Sequence, residues 1–305
     1  MSQLPAPLIP SRGSRGLATA DLAGLGERVV AGWQAFYDVA AAADLDLPSR
    51  KTGWSGHDIV VHLGAWDDAR TLDDILDDAR QGRVHTVDQS ALGRALITQH
   101  AEASREQALD AVQGALDAAV QWFGDLDAAG EDALLLTASP LGALPVATLL
   151  HAAVYQLACS ALDLEPCGVE VGDDLLDAGL IALVDSAGAL TARKGATASL
   201  SASTDSGVWG FGATAGDWSA VELDEPAGPS VQASARLILD ITSGRTSQVG
   251  SMYRSGNLRV HDLPGLLRLA PLIQDVPGIP GAAALGAATR YLSGLSRIAG
   301  LFRRG

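Results

Sequence analysis

The stretch VYQLACSALDL, residues 154–164, decides how this chain is read, because Gln156, Ser160 and Asp163 recur at intervals of four and three residues. On a helix that spacing puts the three side chains on one face. A metalloenzyme would place a glutamate and a histidine at the first two positions; here they are an amide and an alcohol. The stretch ends the last of four helical segments. This one follows the turn SPLGALP and extends from Val146 to Leu164.

The other three segments lie upstream. DLAGLGERVVAGWQAFYDVA carries Leu22, Leu25, Val29, Trp33 and Phe36 at helical spacing. After the loop LDLPSRKTGW, Ser55 suits an N-cap, and Ile59, His62, Leu63 and Trp66 form an inward stripe on the second helix. The third starts at Ser104, which forms a capping-box pattern with Gln107, and runs through Leu109, Val112, Leu116 and Val120. Amphipathic helices joined by moderate loops predict a four-helix bundle whose middle can hold a site.

The composition changes after Glu165-Pro166. ATASLSAS, GVWGFGA and DWSAVEL are short runs separated by turn residues, which predicts strands of an antiparallel sheet with Trp209 buried in its core. The helices DDLLDAGLIALVDSAGAL and SARLILDITSG frame that sheet, 257–261 adds a strand, and 263–273 a helix behind it. The expected fold class is α+β, a helical bundle followed by a smaller α+β domain. The start, MSQLPAPLIPSRGSRG, is expected to be mobile. PGIPG at 277–281 breaks the chain before a basic amphipathic segment, 282–305, with Arg290, Arg297, Arg303 and Arg304. That segment either touches a membrane surface or, as the preferred reading, docks on the sheet domain or pairs with a second copy in a homo-oligomer.

Bulk properties exclude some functions. The 305 residues carry a net charge of −15, unfavourable for approach to nucleic-acid phosphates or anionic membranes. Hydrophobic residues make up 48% of the chain, enough to build substantial cores with few aromatics. No signal peptide and no run of ~18 consecutive apolar residues is visible. Cys159 and Cys167 are eight positions apart and fit reduced thiols, so the expected location is the cytoplasm. The acidic run DDARTLDDILDDAR reads as a solvated helix face, with Arg70 facing Asp74, rather than a loop that wraps calcium.

His62 is the first candidate for chemistry, an imidazole among Val60, Val61 and Leu63. Asp58, one turn earlier, is placed to orient the ring as a supporting carboxylate. His57 is about 140° away around the helix and cannot share its face. His151, nine residues before Ser160, points away from that position. Cys159 has no basic neighbour to activate it, and SGVWGFG lacks the strand-to-helix setting of a phosphate loop.

The segments WSGHDIVVHLGAW and SPLGALPVATLLHAAVYQLACSALDL resemble the two signature regions of the mycothiol-dependent maleylpyruvate isomerase family. Its first domain is similar to DinB-like four-helix bundles. ITSGR and YRSGNLRVHDLPGLL resemble its sterol-carrier-like C-terminal module, so the resemblance covers about residues 15–275. It implies a DinB-like bundle over 15–168, a sterol-carrier-like domain over 172–275, zinc or another divalent metal, and mycothiol as the thiol cofactor. In that family a helix-two histidine, and an E-x3-H pair followed by x2-D on helix four, supply metal ligands and a supporting carboxylate. Carried over by position, His62 keeps the first ligand and Asp163 the trailing aspartate. Gln156 replaces the glutamate and Ser160 the second histidine.

Three functions compete on these residues. In the leading one the chain is a divergent member that has lost its metal site and binds a small molecule, or regulates, through His62, Gln156, Ser160 and Asp163. The alternative is a mycothiol-dependent, metal-assisted isomerase or thiol transferase using His62. A third keeps acid–base chemistry without metal, with His62 as base and Asp58 or Asp163 orienting it.

Overall fold

The structure, a computed structural model, describes residues 4–67, 69–83, 89–139, 142–246 and 248–274. The segment 282–305 and its basic helix lie outside the described residues, as does Asp68 of the acidic run. The fold is α+β, in two compact units. One spans Leu17–Ser186; the other combines the residues before it with those after it.

The first unit contains α1 (Leu17–Ala20), α2 (Leu22–Ala42), α3 (Gly56–Leu63), α4 (Leu72–Arg80), α5 (Gln89–Gln99), α6 (Arg105–Gly124) and α7 (Leu126–Asp132). A hairpin of β1 (Leu136–Ser139) and β2 (Gly142–Pro145) then leads into α8 (Val146–Asp163). The long helix α9 (Asp173–Arg193) begins in this unit and ends in the other.

The four helices expected from periodicity are α2, α3, α6 and α8, and they pack on one another with α2 against both α6 and α8. Leu25, Val29 and Phe36 of α2 are fully buried, each contributing roughly 2 kcal/mol by removal from water. Close approach depends on small residues. A Cβ on Gly32 would lie 2.9 Å from Val154 Cγ1, and one on Gly26 would lie 2.5 Å from Phe123 Cδ1.

α3 is shorter than the apolar stripe suggested. It stops at Leu63 because Gly64 turns extended (φ −67°, ψ 148°) and Ala65 N donates to Ala111 O of α6 at 2.8 Å. Trp66 therefore lies beyond the helix, its Nε1 donating to Val61 O at 2.9 Å. The turn SPLGALP is in fact the hairpin β1–β2, with Gly142 at φ 93°. In the acidic run, Arg70 pairs with Asp78 at 2.6 Å rather than with Asp74, whose carboxylate caps α4 at Thr71.

The second unit is built on the sheet order β5-β4-β3-β6-β7. Its strands are β3 (Ala198–Ser203), β4 (Val208–Thr214), β5 (Asp217–Leu223), β6 (Ser230–Gln232) and β7 (Arg259–His261). All pairs are antiparallel except β3 with β6. Helices α10 (Ala235–Thr242), α11 (Val249–Ser255) and α12 (Leu263–Gln274) follow.

Alternation along the strands gives the sheet two unlike faces. Phe211, Ala213, Trp218 and Ala220 line the apolar face, against which Gly188 of α9 packs so closely that a Cβ on it would lie 3.2 Å from Phe211 Cβ. These, and not the half-buried Trp209, are its buried core. The opposite face is a carpet of Ser199, Ser201, Gly210 and Gly212.

Within the start that was expected to be mobile, Leu8 is seated on that carpet. Leu8, in a 3-10 turn at Ala6–Leu8, is fully buried, and its carbonyl accepts from Ser219 Oγ at 3.2 Å. Residues 13–16 run beside β5. There Trp218 N donates to Ser14 O at 3.3 Å, Gly16 N donates to Trp218 O at 2.9 Å, and Arg15 pairs with Asp217 at 2.7 Å.

Candidate functional site

The site begins with the cap of α3. Ser55 Oγ accepts from Asp58 N at 3.1 Å, and Asp58 Oδ2 accepts from Ser55 N at 2.8 Å, a reciprocal capping box. Asp58 thus holds the start of the helix, one turn before the ring it was expected to orient. His62 follows in the last turn of α3.

Across from it on α8, Gln156 Nε2 lies 3.1 Å from His62 Nε2. An amide nitrogen only donates, so His62 Nε2 accepts and the ring proton sits on Nδ1. Nδ1 is buried and has no hydrogen-bond partner among the described residues. Trp54 meets the imidazole edge-on, centroids 5.3 Å apart at 82°, and Lys51 Nζ stands 3.0 Å from the Trp54 ring centroid.

These surroundings keep the imidazole neutral. Burial, and secondarily the Lys51 charge, lowers the His62 pKa from 6.5 to about 4. A helix C-terminus favours a cation by only about 0.3–1 kcal/mol. Desolvation wins.

Ser160, one turn beyond Gln156, is buried, and Asp163 at the end of α8 is fully buried. The Asp163 carbonyl accepts from Arg50 N at 2.9 Å. Of the site residues expected from sequence, the structure brings His62 and Gln156 into hydrogen-bond contact. Both cysteines are buried thiols, with burial pushing the Cys167 thiol up.

The zinc implied by the resemblance does not suit this donor set. A catalytic zinc takes three ligands from imidazole, thiolate and carboxylate. His62, Gln156 and Ser160 offer one imidazole, already hydrogen-bonded, together with a neutral amide and a hydroxyl. No cluster of three His, Cys, Asp or Glu side chains among the described residues is arranged to hold a metal.

Two features escaped sequence reasoning. Gly93 of α5 packs on the Cε1–Nδ1 edge of His62, where a Cβ would lie 2.5 Å from Nδ1. The signal was a lone glycine inside a helical run. The second is His151, fully buried on α8, whose Nδ1 lies 3.0 Å from the equally buried Asp185 Oδ2 of α9. Asp185 Oδ1 also accepts from Leu17 N at 3.4 Å. An aspartate in the apolar run LIALVDSAGAL was its signal.

No family model matches the chain, and no curated protein matches it. Two solved structures do. A crystal structure of a histidine-to-alanine mutant of the mycothiol-dependent maleylpyruvate isomerase aligns with a TM-score of 0.50 and 15% identity, over 74% of this chain and 90% of that one. The crystal structure of the unmutated isomerase aligns over the same shares at 15% identity with a TM-score of 0.47. At that identity the first alignment shows a common α+β fold.

Proposed function

We propose that this chain is a divergent relative of the mycothiol-dependent maleylpyruvate isomerase that binds or senses a small molecule without a metal. His62 and Gln156 supply the polar contacts, with Ser160 and Asp163 beside them on α8. The observation that carries the reading is the Gln156 amide donating to His62 Nε2, the ring nitrogen that faces α8, beside an imidazole kept neutral. A neutral imidazole with its proton on Nδ1 can offer that donor to a ligand acceptor. The cytoplasm is the proposed location. α8 and α9 have the length and apolarity of membrane spans, yet 67% and 72% of them are buried within the fold.

Elemental analysis of untreated protein, zinc titration by calorimetry, and a thermal-shift measurement with mycothiol test the proposal. We expect substoichiometric zinc, no heat of zinc binding, and a rise in melting temperature with mycothiol that His62→Ala abolishes. Stoichiometric zinc lost in His62→Ala would overturn it. The shared fold favours a second reading, a metal-assisted, mycothiol-dependent isomerase or thiol transferase using His62, and that zinc result would support it.

A further inference from the structure

We infer that α5 is a hinged lid over His62, and that a ligand enters by displacing Gly93 from the imidazole and presenting an acceptor oxygen to Nδ1. The inference rests on the reading of His62 and Gln156 as the binding pair, and adds how that pair is reached.

α5 buries few of its described apolar side chains. Among its described side chains, those of residues 91–99, Gly93 alone is buried; Leu96 and Ile97 are half-buried and Leu92 is 46% exposed. A helix this short is marginal alone and relies on tertiary packing. Among the helices it packs most against α3, and its buried point lies on the His62 ring.

That seat is poised rather than tight. Glycine inside a helix is unfavourable relative to alanine, yet here it lets the backbone lie flush on the imidazole, where any Cβ would collide. The closed position also leaves Nδ1–H buried without an acceptor among the described residues. Moving α5 outward restores water or ligand to that donor, which offsets part of the cost of lifting the helix off the ring. Segments with few buried apolar side chains open locally ahead of the core.

The hinge lies just past the C-terminus of α5. His100 stacks on Trp66 with centroids 3.8 Å apart at 14°, and Ala103 N donates to His100 O at 3.0 Å. Ala103 O is itself 2.9 Å from His57 Nε2. One end of the helix is fixed to the bundle by these interactions, while Gly93 rests on the site.

The test uses the full chain, with amide hydrogen exchange and exchange of the His62 Cε1–H, which lies under Gly93, both followed by peptide mass spectrometry. We expect α5 amides to exchange on the order of 100-fold faster than those of α8. Gly93→Ala, which props the lid open, should raise His62 Cε1–H exchange about tenfold and leave α8 exchange unchanged. Equal exchange of α5 and α8, or unchanged His62 Cε1–H exchange in a folded Gly93→Ala protein, overturns the lid. If Gly93→Ala does not fold, exchange in the unaltered chain decides. Stoichiometric zinc would remove the metal-free reading, while α5 exchange would still decide the lid.

Discussion

Gln156 of α8 and His62 of α3 meet nitrogen to nitrogen at 3.1 Å, and that hydrogen bond fixes which ring nitrogen carries the proton. It joins two helices of the bundle through neutral groups.

Acid should weaken the fold through His62. Its folded pKa is lowered from 6.5 to about 4, so between those values the unfolded chain binds a proton that the folded chain does not. Stability therefore falls as pH drops through that window, by roughly 3 kcal/mol from this residue, and is unaffected by it above the unfolded pKa. Urea midpoints for the unaltered chain and His62→Gln, compared from neutral pH down to the lower end of the window, should diverge in slope. Parallel curves would count against an imidazole held neutral in the fold.

Restoring two ligands should create a metal site. Gln156→Glu combined with Ser160→His gives a carboxylate and two imidazoles, the three-ligand set that suits catalytic zinc. The double variant should take up zinc stoichiometrically in elemental analysis and lose it when His62→Ala is added. A double variant that folds but stays free of zinc would show that α3 and α8 do not aim these positions at a common point.

Asp185→Ala should destabilise the helical unit by roughly 2–4 kcal/mol, because it leaves His151 buried without its partner. Denaturant unfolding measures this. A change below experimental error would mean that the pair contributes nothing net.

Gly212→Ala should loosen the N-terminal strap, since its Cβ would fall on the Leu8 carbonyl. Overpacking of this kind costs about 1–3 kcal/mol. Limited proteolysis between residues 4 and 12 should then be faster than in the unaltered chain. Unchanged cleavage would show that the strap tolerates the methyl group.

Periodicity and capping made the framework legible. Ser104 forms the capping box that its spacing announced, Ser55 is the N-cap expected of it, and β3, β4 and β5 fall on the three runs read as strands. The misses share a cause: long-range complementarity that no local window contains. Leu8 is buried because Gly210 and Gly212, two hundred positions later, leave room for it. His151 finds Asp185 on another helix, 34 residues on. α3 ends early because Ala111 approaches Gly64. The spacing of Gln156 and Ser160 set out the candidate face of α8, but the lid over His62 depends on a glycine whose importance is visible only in three dimensions.

The strap along β5 carries a consequence for biosynthesis. A ribosome delivers residues 5–16 ahead of every helix of the bundle, yet the strands that receive them span 198–223, beyond all of those helices. The whole helical bundle can form while Leu8 still waits for its seat. Nascent chains halted before β4 should leave that first segment open to protease, and those released after β5 should protect it.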